Sequence, residues 1–251
     1  MNLPNWFIVG DSHLNSVKPR MVEKASGGKL FGKGFNHPKE GRAYCSTKEW
    51  PNSKFPSNNH KDLIPKVLDE RVYKGGIILC PGNDISNIAN MDRARQLAMA
   101  EQSALNMVGE VEKALQNNST LEKMVMMEYP PRADSKQLVE VTTFANEVLH
   151  NEVNKSKYKE HITVGSFKNL RYNNDKEMVA LFGPNNSNPR YDGVPLRGRK
   201  GSWLYTESIM AAVATSTSNR APGPLTSSTR NPIRQPQVSH ITTQNRYALL
   251  N

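Results

Sequence analysis

The chain has 251 residues, 37% of them hydrophobic, and a net charge of +10, which suits one ordinary domain plus an extension. It contains no run of eighteen apolar residues, so no transmembrane helix of ordinary length is expected. The opening MNLPNWFIVGDS lacks the basic region and long apolar stretch of a signal peptide. Two cysteines, Cys45 and Cys80, give neither a disulfide framework nor a metal spacing, so reduced thiols, an intracellular location and no metal or cofactor are expected.

In chain order, five segments read as buried strands: WFIVG at 6–10, a weaker one within KLFGKGF at 29–35, GIILC at 76–80, KMVMMEY at 123–129 and HITVGS at 161–166. Each is short, apolar or β-branched, and bounded by turn residues. Helical patterns lie between them. The clearest is 91–116, where Leu97, Ala100, Ala104, Val108, Val111 and Leu115 recur at steps of three and four and form one apolar stripe. Weaker helices are predicted at 12–24, 61–70, 136–155 and 201–214. Alternating strand and helix predicts a parallel sheet covered on both faces. The stretch 36–60 is rich in Pro, Asn, Ser and Gly and reads as a long irregular loop. The composition changes near 215, which divides the chain into a folded domain at 1–214 and a tail at 215–251. The tail is rich in Ser, Thr, Pro and Arg, and is expected to be disordered because it cannot bury enough apolar surface to offset chain entropy. Its last residues, TQNRYALLN, form either a motif that docks another protein or a chance cluster.

Three stretches carry chemistry. In FIVGDSHLNS a strand ends in Gly10-Asp11-Ser12 and a helical pattern follows. Ligands gather at the carboxyl ends of strands in an open parallel sheet. Ser12 either stands there as a nucleophile or caps the helix. In IILCPGNDISNI a second strand ends in Gly82-Asn83-Asp84. The Asn83 amide is a suitable donor to a tetrahedral oxyanion, and the same tripeptide also makes an ordinary turn and cap. The third stretch is YDGVPLRGRKGSWLYTESI, with Asp192 before the final predicted helix.

Taken together and in this order, the three stretches resemble the SGNH, or GDSL-type, hydrolase family over about residues 5–214. The resemblance implies a three-layer α/β/α, flavodoxin-like fold with a five-stranded parallel sheet, and hydrolysis of esters. It matches Ser12 to the nucleophile, Asn83 to the side-chain oxyanion donor and Asp192 to the residue that orients the base. The glycine of the second block is matched to Gly41, with Gly27 and Gly28 as alternatives. The glycine of the third block is replaced by Pro81. HPKEGRAYCSTKEWPNSKFP, NDISNI and the segment around DGV look closer still to SGNH-like domains of animal genomes and mobile elements. The same fold forms a domain of the germ-plasm protein Oskar, where the resemblance implies RNA binding without hydrolysis.

One departure outweighs the others. The family has a histidine three residues after the Asp, and Pro195 occupies that position. Proline can neither take the serine proton nor return it to a leaving group. Losing the base from a serine hydrolase costs on the order of 10⁶ in turnover. Of the six histidines, His13 directly follows Ser12, where helical neighbours would not face each other. His150 and His161 read as structural or surface residues, and His240 lies in the tail. His37 and His60 bracket the long loop, which would have to fold over the site for either to act as the base. The reading is therefore a degenerate esterase-type domain.

The runner-up is a non-catalytic module that binds RNA or DNA. Residues 1–60 hold nine Lys or Arg against four acids, and the tail from 216 has four Arg and no acid. Candidate contacts are Lys29, Lys33, Lys39, Arg42, Arg197, Arg199 and Lys200, where guanidinium forks would hold phosphates. A third reading is an assembly module of a mobile-element protein, tethered by its tail.

Overall fold

The computed structural model describes residues 6–10, 13–14, 17, 41–45, 64–69, 72–133, 135–170, 181 and 199–218, with 41–45 and 199 described by backbone alone. The strands are β1 (Trp6–Gly10), β2 (Gly41–Cys45), β3 (Gly75–Leu79), β4 (Lys123–Met127) and β5 (Ile162–Gly165). The helices are α1 (64–69), α2 (Gly82–Asn87), α3 (Arg93–Asn117), α4 (Lys136–Lys155) and α5 (Arg199–Ser218). The five strands form one sheet in the order β2-β1-β3-β4-β5, and every pairing is parallel. This is the doubly wound, flavodoxin-like order, in which the chain reverses direction across the sheet between β1 and β3.

Side-chain parity builds the layers. Phe7, Val9, Ile78, Met124 and Met126 point into one core with Val67 of α1, Ile85 of α2 and the apolar stripes of α3 and α4. Their neighbours Trp6, Ile8, Ile77, Leu79, Val125 and Met127 point into the other core with Leu14, Val17, Leu181 and α5 residues Tyr205 and Ile209. A strand buried on both faces needs a continuous apolar run, which is what β1, β3 and β4 supply. The paired glycines that open β3 follow from the register. Trp6 lies beside Gly75 and Phe7 beside Gly76. A methyl on Gly75 would fall 2.1 Å from Trp6 Cε2, and one on Gly76 would fall 2.4 Å from Phe7 Cζ. The two rings occupy the space that side chains would need.

Two helix starts are capped as their sequences suggest. Asp92 accepts from the Arg95 N–H at 3.0 Å at the head of α3, and Ser135 accepts from Leu138 at the head of α4. Such caps satisfy backbone donors that the helix itself leaves open.

Three expectations change. The second strand is Gly41–Cys45, inside the stretch read as loop, while the strand expected in 29–35 lies outside the described residues. β2 is an edge strand with a single partner, so it needs no unbroken apolar run. A short helix, α2, stands where a turn was read. The final helix continues to Ser218, past the boundary drawn at 214, and residues 219–251 lie outside the described residues. Of the helix expected at 12–24, only 13, 14 and 17 are described, with a 3-10 turn at 13–14.

Candidate functional site

The carboxyl edge of the sheet is made by the residues that follow each strand. Behind β3 come Cys80, Pro81, Gly82 and Asn83, and Asn83 falls in the first turn of α2. Behind β4 come Glu128, Tyr129, Pro130, Pro131 and Arg132, and behind β5 come Ser166 and Phe167. His13 follows the end of β1 by three residues and is buried. Its ring lies against the backbone of Gly82: a methyl there would sit 2.7 Å from His13 Cε1 and 2.9 Å from Pro130 Cγ. The ring centroid is 6.4 Å from that of Tyr205 on α5, and Tyr205 stacks on Phe167 at 4.7 Å. The residue after Ser12, the residue before Asn83 and the first half of α5 therefore converge at this edge.

Behind Asn83 lies a buried polar relay. Ser103 of α3 donates to Asp84 Oδ2 at 2.5 Å, and its hydroxyl is 2.7 Å from the Tyr129 hydroxyl. A carboxylate only accepts, so the single Ser103 proton goes to Asp84 and Tyr129 must donate to Ser103. Burial pushes the Tyr129 hydroxyl well above the ordinary tyrosine range, and the nearby Cys80 and Asp84 push it further. The Tyr129 hydroxyl thus stays protonated and keeps its donor role. Asn146 of α4 accepts from the Tyr129 N–H at 2.8 Å and donates to its carbonyl at 3.3 Å, which fixes the backbone of this segment.

Glu128 forms a second hub. Its carboxylate lies 2.7 Å from His150 Nε2 and accepts from the Phe167 N–H at 3.3 Å. Burial alone would raise its pKa. The hydrogen bonds from His150, Ser166 and Phe167, with the charge of His150, outweigh that and bring it below the ordinary glutamate value.

The expected site residues separate into groups. Asn83 stands at the carboxyl edge, in the first turn of α2. Ser12, Asp192 and Pro195 lie outside the described residues, as do His37, His60 and His240. Gly41 does not belong to this edge. It opens β2 and pairs with Trp6, the first residue of β1, so it sits at the amino end of the sheet. Cys45 pairs with Gly10 and is the β2 residue that reaches the edge. At about 3.3 Å per residue, four residues separate Gly41 from it by roughly 13 Å, far beyond an oxyanion contact. His161 is exposed, with Nδ1 2.9 Å from the Glu122 carbonyl. Cys80 is buried in the core below the edge.

Of the basic candidates, Lys200 is exposed on α5, and the backbones of Arg42 and Arg199 lie in β2 and α5. Lys29, Lys33, Lys39 and Arg197, and the side chains of Arg42 and Arg199, lie outside the described residues. Among the described side chains, basic and acidic groups are equal in number, so the whole excess of +10 falls on the remaining residues. No cluster of His, Cys, Asp and Glu among the described residues could hold a metal ion. None of the described helices is long and apolar enough to cross a membrane.

Sequence reasoning missed Arg132, Ser103 and Tyr129, all buried and all bonded around the turn that carries Asn83. The available signal was EYPPRAD directly after a strand, at the edge where ligands bind.

The same fold recurs in solved structures. One is LAE5, an alpha/beta hydrolase from the metagenome of Lake Arreo, Spain, with 9% identity over 85% of this chain and 96% of that one, at a TM-score of 0.54. Another is Axe2, an acetylxylan esterase from Geobacillus stearothermophilus, with 12% identity, 85% and 96% coverage and a TM-score of 0.50. No protein-family model matches the sequence, and neither does any curated protein. At such low identity the likeness establishes the fold alone: this is a flavodoxin-like α/β protein with a five-stranded parallel sheet.

Proposed function

We propose that this chain is an SGNH-type ester hydrolase domain in which turnover has been lost at the general base. The approach of His13 to Gly82 carries the reading. It supports a meeting of the Ser12 and Asn83 segments at one sheet edge, as acyl transfer requires of a nucleophile and an oxyanion donor. The acetylxylan esterase of the same fold favours an acetylated carbohydrate or similar small ester as the ancestral substrate. Pro195 stands where the proton shuttle belongs. An oxyanion hole without its base retains only about 10³–10⁴ over water.

Hydrolysis of p-nitrophenyl acetate tests this. The wild-type chain is expected to show at most a small rate above buffer that Ser12→Ala leaves unchanged, and Pro195→His to gain a rate that Ser12→Ala abolishes. Wild-type hydrolysis that disappears in Ser12→Ala would overturn the loss of turnover.

A second reading, nucleic-acid association, draws on the charge excess lying outside the balanced, described side chains. Titration with RNA at two salt concentrations tests it. Electrostatic binding weakens steeply with salt, and no binding at low salt removes this reading.

A further inference from the structure

Asn83 sits on a helix too short to hold its own shape. α2 has six residues, and its N-cap is Pro81, which makes no side-chain capping bond. Isolated helices of this length are unstable, so contacts from other elements set the geometry of the turn. Ile85 and Ile88 anchor its far side in the core. The near side is held by polar groups. The residue after Asn83 is Asp84, tied to Ser103 of α3. The residue before it is Gly82, whose carbonyl accepts from Arg132 Nη1 at 3.1 Å. The same Nη1 donates to Ser86 Oγ at 2.9 Å, and Ser86 Oγ reaches back to the Gly82 carbonyl at 3.4 Å. Arg132 thus closes the first turn of α2 from the segment behind β4. Pro130 and Pro131 restrict the chain before it, and the side chain is buried.

We propose that Arg132 is the positioning residue for Asn83: its guanidinium staples the Gly82–Ser86 turn so that the Asn83 side chain is held where an oxyanion would form. This rests on the ester hydrolase reading above. An oxyanion donor acts only when it is preorganised within a fraction of an ångström. One planar guanidinium nitrogen bridging two acceptors on the same turn supplies that constraint. A lysine ammonium, on a flexible stem, holds such a bridge less firmly.

Two measurements on the full chain test this. In hydrogen–deuterium exchange, Arg132→Met and Arg132→Lys should speed exchange in the peptide covering α2 and leave the β4 peptide unchanged. Unchanged α2 exchange in both variants overturns the staple, whatever the activity. Where Arg132→Met does not fold, Arg132→Lys gives the same test.

The second measurement uses the Pro195→His background with p-nitrophenyl acetate. Arg132→Met should lower kcat by about 10–100-fold, as a misplaced catalytic group does, with KM within about twofold. In a Pro195→His, Asn83→Ala background the same substitution should cost almost nothing. A loss of equal size with and without Asn83 shows a merely structural role and overturns the proposal. Faster α2 exchange with no Ser12-dependent hydrolysis in Pro195→His supports the staple and overturns the esterase reading.

Discussion

Gly82→Ala probes the contact on which the site depends. At the first position of α2, alanine would ordinarily stabilise, because glycine costs a helix up to about 1 kcal/mol relative to alanine. Here the new methyl would lie 2.7 Å from His13 Cε1 and 2.9 Å from Pro130 Cγ, both inside carbon–carbon contact distance. His13 is buried and Pro130 is a ring, so neither can swing into solvent. Overpacking of this kind costs roughly 1–3 kcal/mol. The clash therefore offsets or outweighs the propensity gain, and the net loss is about 0–2 kcal/mol. In a domain of this size each kcal/mol lowers Tm by about 2–4 °C, so the melting temperature followed by circular dichroism should not rise, and should drop by up to about 8 °C. His13→Ala removes the nearer of the two obstacles. In that background Gly82→Ala should cost about 1 kcal/mol less, a coupling within the range of residues in contact. A rise in Tm for Gly82→Ala, or strict additivity with His13→Ala, would refute the claim that the two strand ends abut.

Two further predictions concern the polar groups behind the edge. Glu128 has a folded pKa below its unfolded one, so its contribution is present above the ordinary value near 4.5 and is lost as pH falls through the lowered value. Urea midpoints measured from pH 7 to 3 should decline in wild type, and Glu128→Gln should flatten the part below pH 4.5. In the relay, Ser103→Ala removes a donor from buried Asp84 and an acceptor from Tyr129, at a cost of about 1–3 kcal/mol. Tyr129→Phe leaves the Ser103–Asp84 bond intact and should cost less, so chemical denaturation should rank the two in that order.

The sheet interior was legible because burial on both faces forces runs such as WFIVG and GIIL, and the α3 stripe because its apolar residues keep a helical period for 25 residues. β2 was not. At the edge of the sheet GRAYC needs only one partner, and its Gly-Arg opening reads as loop. That misreading also misplaced Gly41, because a glycine that begins a strand sits at the end away from the chemistry. The place of Asn83 at the sheet edge was legible from Gly-Asn-Asp directly after a strand. Arg132 was not, since a buried arginine looks in sequence like any solvated one until the turn it bonds is folded against it.

The separation of scaffold from chemistry follows from where the stabilising area lies. Trp6, Phe7, Ile8 and Val9 are all fully or almost fully buried, and each such side chain contributes on the order of 1.5–3 kcal/mol. The polar turn of α2 is a different case. Burying Arg132, Asp84, Ser103 and Tyr129 requires each to keep its partners, because a half-satisfied buried network is worse than an apolar one. Under the proposed reading, loss of any member of the group that holds Asn83 would be costly for the fold, so an oxyanion-type edge would be retained even where the catalytic step is gone.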